Sequence, residues 1–207
     1  MGKETPVFLV LGCGENGLEW ANKRNEGELV IGLDHKNIQS LNPNFKYGDV
    51  LKLPFEEMSA NRIYADFILN AVSVRNISFR DIKNNPSILR DESFPKIVRD
   101  WFTDSLNGSE AKVRDNPETI RWLLRTQALR EMMRVLKING EIFIIDRPHI
   151  VNWIRTETVN IFGIDSQKIE IENLAINSDD HMRSASLRDI AKDNEPLGKI
   201  SVKKLHQ

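Results

Sequence analysis

Five consecutive apolar residues, Val7-Phe8-Leu9-Val10-Leu11, run straight into Gly12-Cys13-Gly14-Glu15-Asn16-Gly17, and few folds accommodate that junction. An unbroken apolar run closed by glycine fits a strand covered on both faces, the situation of a parallel sheet flanked by helices. The glycines spell G-x-G-x-x-G between this strand and a short helix expected over Leu18 to Arg24. Such a turn lets a ligand approach the backbone without meeting a Cβ and aims main-chain N–H groups at it.

The same alternation continues along the chain. Leu29 to Leu33 forms a second apolar run ending at Asp34, and Phe45 to Asp49 suggests a short third strand. Asp66-Phe67-Ile68-Leu69, ending near Asn70, gives a fourth, and Glu141 to Ile145, ending at Asp146, a fifth. Strands near Lys168 to Ile176 and Lys199 to Leu205, with a helix from about His149 to Phe162 before them, complete the sheet. The apolar residues of the first of these change parity between Ile171 and Leu174, which predicts a bulge near Asn173. Strands and helices in this order imply a doubly wound α/β sheet in one domain spanning residues 1–207.

The best-marked helix precedes the fifth strand, with Asn116 as N-cap, Pro117 at its first position and Asn139-Gly140 beyond its end. Ile120, Leu124, Ala128, Met132, Val135 and Leu136 make its apolar stripe, while Arg121, Arg125, Arg130 and Arg134 fall off the stripe and are expected on a solvated face. Between the fourth strand and this helix, Ala71 to Asp115 is too long for a plain loop. It should carry a helix over Pro95 to Leu106, capped by Ser93, with Trp101 and Phe102 on its apolar face. Because the segment follows the fourth strand directly, it is expected to cap a substrate pocket.

Charge and cysteine content narrow the partners. Twenty-nine Lys and Arg against 30 Asp and Glu leave a net charge of −1, so no whole-chain field draws the protein to nucleic acid or to a membrane. The apolar run at the N-terminus is too short for a span or a signal h-region. Cys13 is the single cysteine, which rules out an intramolecular disulfide and a multi-cysteine zinc cluster and makes a reducing cytoplasm the simplest home. His35, His181 and His206 lack the spacing of a metal site, so no metal is expected.

Asp34, at the end of the second strand, is placed to accept hydrogen bonds from both hydroxyls of a ribose. Up to this point a nicotinamide dinucleotide and S-adenosylmethionine fit equally well. Two further segments separate them: Gly48-Asp49-Val50-Leu51-Lys52-Leu53-Pro54-Phe55, and the run from Arg130 through Lys137 and Gly140 to Asp146. With the glycine turn and Asp34, these resemble class I S-adenosylmethionine-dependent methyltransferases over roughly Val7 to Asp146.

The resemblance implies a Rossmann-like, mostly parallel seven-stranded sheet with helices on both faces and an antiparallel last strand. It implies that Gly12, Cys13, Gly14 and Gly17 hold the methionine part of the cofactor, Asp34 the ribose, and Asp49 with Val50 the adenine, with His35 next to Asp34 also among the cofactor-binding residues. Asn70 would lie at the methyl group. The product would be S-adenosylhomocysteine and the acceptor most simply a small molecule, although a macromolecular acceptor or a protein partner also fits. Val10 stands where the family commonly has an acid, and the Asn/Asp-Pro-Pro-aromatic signature of amino-group methylation is absent, since Asn70 is followed by Ala71-Val72-Ser73. Asn70 and His149 are the candidates on the acceptor side; in-line methyl transfer itself requires no base unless the acceptor carries a proton. Two other readings stay open: an NAD(P)-dependent oxidoreductase using the same glycines and Asp34, and a methyltransferase-like binding or regulatory module without turnover.

Overall fold

The computed structural model describes residues 5–34, 42–66, 117–162, 167–174 and 197–205. Seven strands form one sheet: β1 (Val7–Leu11), β2 (Leu29–Asp34), β3 (Phe45–Tyr47), β4 (Ala60–Asp66), β5 (Leu136–Asp146), β6 (Gln167–Leu174) and β7 (Leu197–Lys204). Their order is β3-β2-β1-β4-β5-β7-β6. Every neighbour pair from β3 to β5 is parallel, and β7 runs antiparallel to both β5 and β6. This is the doubly wound sheet with a reversed last strand. The chain order reverses between β1 and β4, which makes the carboxyl ends of β1, β2 and β4 the place for a ligand.

Three helices among the described residues cover the two faces: α1 (Gly14–Arg24), α2 (Pro117–Val135) and α3 (Pro148–Phe162). The apolar runs alternate between them. Phe8 and Val10 of β1 and Ile145 of β5 pack with Leu18 and Ala21 of α1. Leu9 and Leu11, with Ile142 and Ile144, pack with Leu124, Ala128, Leu129 and Met132 of α2 and with Ile150 and Ile154 of α3. Burial on both faces is why these strands read as continuous apolar runs.

β4 departs from expectation. The sequence pattern starts it at Asp66, whereas the described strand occupies Ala60–Asp66; Phe67 to Asn70 lie outside the described residues. Asn61 and Arg62 look too polar for a central strand, but each has a long-range partner. Asn61 Oδ1 accepts the Val7 N–H at 3.0 Å. The Arg62 guanidinium donates to Asn25 and Glu28 and stands 4.7 Å over the Phe8 ring. Asn61→Ala should therefore leave the Val7 N–H without its acceptor and destabilise the domain by about 1 kcal/mol in urea unfolding. An unchanged midpoint would remove that bond from the stability of the β1–β4 seam.

Two other expectations are corrected. Asn139-Gly140 lies beyond the end of α2, but inside β5 rather than in a turn before it, at the point where the register against β4 jumps from Ala60↔Leu136 to Arg62↔Glu141. Asn139 takes φ +63° there, and a Cβ on Gly140 would meet the backbone oxygens of Asn61 and Lys137 at 2.8 Å. The bulge near Asn173 is absent: β6 pairs with β7 residue for residue from Gln167↔Lys204 to Leu174↔Leu197. β6 is an edge strand: Ile169 packs against the main core while Ile171, on the same face, is exposed, so its apolar parity is only weakly tied to a core face.

The arginine face of α2 is only partly solvated. Arg130 is exposed, but Arg125 is buried and stacks 4.4 Å from the Trp122 ring, and Arg134 turns inward. The segment Ala71 to Asp115, with its expected helix and cap role, and Asn116 lie outside the described residues, as do His35, His181 and His206. No helix among the described residues is long and apolar enough to cross a membrane.

Candidate cofactor and active site

The glycine turn is built by a handover between strands. At the end of β1, Gly12 takes φ +64°, a backbone angle that glycine adopts at little cost. Its N–H donates to the Leu33 carbonyl of β2 at 2.7 Å, which pins the turn against the neighbouring strand. Helix α1 begins at Gly14 rather than at Leu18, so Gly14 and Gly17 lie in its first turn. Its first i→i−4 bond runs from the Gly17 N–H to the Cys13 carbonyl at 2.9 Å. Cys13 provides no side-chain cap, and an uncapped helix start offers N–H groups to an anion.

The Cys13 side chain points the other way. It is buried, and Sγ lies 3.9 Å from the Leu33 carbonyl, to which it donates. Burial first and the Asp34 charge second push its thiol up to about 12. The thiol is therefore neutral near pH 7 and packs as an apolar group against Gly32, where a Cβ would come within 2.8 Å of the sulfur.

Asp34 closes β2 one residue beyond the Leu11↔Leu33 pair of β1 and β2, level with the glycine turn, and is buried. Its carbonyl accepts the Gly48 N–H at 3.0 Å. That bond draws the loop after β3 to the same edge. In this loop the Asp49 carboxylate accepts the Leu51 N–H at 3.0 Å and the Asp49 carbonyl accepts the Lys52 N–H at 3.0 Å, making a compact turn. Val50 is buried beneath it. The two bonds from Gly12 and Gly48 thus bring Gly12, Asp34 and Asp49 to one edge of the sheet from three separate segments.

The carboxyl ends of β4 and β5 carry a pair of acids. Asp146 is fully buried, and its Oδ1 accepts the Arg147 N–H at 2.8 Å at the start of α3. Asp66, paired in register with Ile145, is 4% exposed, and neither of its oxygens has a hydrogen-bond partner. Burial, then the neighbouring Asp146 charge, raise its carboxyl to about 8. Sequence reasoning missed Asp66 because it placed the residue at the start of a strand instead of its end. His149 is exposed on the first turn of α3, while Asn70 lies outside the described residues. Among the described residues no group of three His, Cys, Asp or Glu side chains is arranged to hold a metal ion. Val10 is fully buried in the cluster with Leu18 and Tyr64, so no carboxylate stands behind the glycine turn at that position.

The chain has the Rossmann-like fold of class I S-adenosylmethionine-dependent methyltransferases. It is similar to a chain in the complex of the Haloferax volcanii Trm112 methyltransferase activator with a methyltransferase, at TM-score 0.52 and 14% identity, covering 100% of this chain and 85% of that one. It is also similar to the [4+2]-cyclase SpnF, at TM-score 0.50 and 12% identity, covering 98% of this chain and 75% of that one. No protein-family model matches the sequence, and no curated protein matches it.

Proposed function

We propose that this protein binds S-adenosylmethionine at the carboxyl ends of β1, β2 and β4 and transfers its methyl group to an acceptor, most simply a small molecule, releasing S-adenosylhomocysteine. The observation that carries this reading is the convergence of the Gly12 turn, Asp34 and the Asp49 loop on one edge, tied by the Gly12–Leu33 and Gly48–Asp34 backbone bonds. The fold alone would not suffice, because one fold hosts many chemistries; one of the similar structures is called a cyclase.

In this reading Gly12, Cys13, Gly14 and Gly17 present the backbone of the turn and the start of α1 to the methionine part, whose carboxylate suits the positive end of a helix dipole. Asp34, with His35 following it, accepts from the ribose hydroxyls. Asp49 and the Val50 backbone meet the adenine. Asn70 and the exposed His149 are the acceptor-side candidates. The transfer is an in-line displacement: the acceptor's lone pair forms the new bond to the methyl carbon as the carbon–sulfur bond breaks and the sulfonium becomes a neutral thioether. Positioning and exclusion of water supply the rate, and a base is needed only where the acceptor must shed a proton.

Titrating the purified protein with S-adenosylhomocysteine and, separately, with NAD by calorimetry tests the cofactor. S-adenosylhomocysteine should bind at micromolar concentration and raise the melting temperature; preferential binding of NAD would replace this reading with the oxidoreductase one. Incubating the protein with methyl-labelled cofactor and fractionated cell extract then tests turnover. Label in the low-mass fraction supports a small-molecule acceptor, and cofactor binding without any transfer supports a binding or regulatory module.

A further inference from the structure

One face of α2 is committed to the loop that follows β3. Four points of that loop are held from successive helix turns. Gln127 Nε2 donates to the Leu51 carbonyl at 3.1 Å. Glu131 Oε2 accepts the Leu53 N–H at 2.9 Å. The Arg134 guanidinium donates to the Phe55 carbonyl at 3.0 Å and the Leu53 carbonyl at 3.1 Å. The backbone carbonyl of Arg134 takes the Met58 N–H at 3.1 Å. Arg134 is locked by Glu131 through two further bonds, at 2.9 and 2.8 Å. The spacing 127, 131, 134 is that of one helix face.

Packing alone does not require these groups. The side chains of Leu51 and Leu53 are already buried in the main core; what the polar groups of α2 satisfy is the loop's backbone, whose carbonyls and N–H would be costly to bury without partners. What polar side chains add is direction: a planar guanidinium and a carboxylate fix where particular carbonyls and an N–H must lie. The loop has little regular structure of its own, only the bridge between Asp49 and Lys52, so its position is set from outside. At its start, Gly48 is squeezed between Leu33 and Pro54, which a Cβ there would meet at 2.8 and 3.2 Å. Anchors at both ends therefore determine how far Asp49 reaches toward a base lying along the sheet edge.

We propose that Gln127, Glu131 and Arg134 are positioning residues that set selectivity for the adenine base, by fixing the depth at which Asp49 and Val50 meet it. The inference rests on the cofactor reading above and assigns a role to residues outside its binding set.

The test compares two ligands by calorimetry, S-adenosylhomocysteine and S-inosylhomocysteine. Hypoxanthine presents a carbonyl and an N–H where adenine presents an amino group and a ring nitrogen, so a well-placed Asp49 carboxylate rejects it. Wild type should prefer the adenine ligand by about tenfold or more, as expected when a site made for a donor meets an acceptor. Arg134→Ala should reduce the preference to about threefold or less, chiefly by weakening the adenine ligand. Arg134→Lys should restore part of it, and Arg130→Ala, on the exposed side of the same helix, should leave it unchanged. Melting curves identify folded variants. Should Arg134→Ala fail to fold, Gln127→Ala, which removes only the Leu51 contact, carries the comparison with a smaller expected drop. A folded clamp variant that keeps the wild-type preference, or loses affinity equally for both ligands, overturns the positioning role. A wild type that binds both ligands equally overturns the adenine assignment of Asp49 and this inference with it.

Discussion

Replacing Asp34 by alanine is expected to weaken S-adenosylhomocysteine binding by about 1–3 kcal/mol, roughly 5- to 150-fold, because two ribose hydroxyls lose a charged acceptor in a partly closed site. The backbone around it should hold, since the bonds that place the site, from the Gly12 N–H to Leu33 and from the Gly48 N–H to the Asp34 carbonyl, are made by main-chain atoms. Removing the carboxylate should also lower the Cys13 thiol, whose second-largest perturbation is the Asp34 charge. Calorimetry of the folded variant reads the first effect. Wild-type affinity in a folded Asp34→Ala protein would exclude this residue from the ribose site.

The larger stability effect belongs to Asp66. Its folded-state carboxyl is raised to about 8 from an ordinary 3.8, so between those values the native state holds a proton that the unfolded chain has released. Unfolding stability must fall as pH rises through that window and level off above it. Below the lower value both states are protonated and the group contributes nothing. A shift of this size corresponds to the order of 5 kcal/mol at full ionisation. Asp66→Asn should therefore match wild type near pH 4 and exceed it by several kcal/mol at pH 9, with most of the divergence between. The difference between the two unfolding free energies, followed by urea denaturation across that range, isolates this group from all others. A pH-independent difference would show that Asp66 is not held neutral by burial and by Asp146.

What was legible in the sequence was whatever a residue's neighbours along the chain decide. β1, β2 and the core of β5 were legible because burial on both faces demands unbroken apolar runs, and their glycine and acidic ends mark where each strand stops. The Gly12, Asp34 and Asp49 edge followed, since Asp34 ends its strand and the other two sit just past the ends of theirs. The reading failed where a distant partner decides. Asn61 and Arg62 disqualified the first half of β4 locally, yet their polarity is spent on Val7, Asn25 and Glu28. Arg134 fell on the polar side of the α2 periodicity, yet its partners are carbonyls of a loop far up the chain. Leu174 suggested a bulge only because an edge strand need not keep parity. Asp66 was visible as an acid beside an apolar run, but without the register against β5 nothing marked it as the strand's last described residue, buried beside Asp146.

The buried sulfur beneath the glycine turn makes the protein its own gauge of local opening. Cys13 is the only thiol in the chain, it is neutral near pH 7, and it is sealed between the turn and β2. A reagent in solvent reaches it only in molecules whose turn has momentarily parted from Leu33, so the rate of thiol modification counts those excursions. Any ligand that gathers the Gly12 backbone and the start of α1 around itself must close that route. The sulfur would then report occupancy of the site without taking part in it.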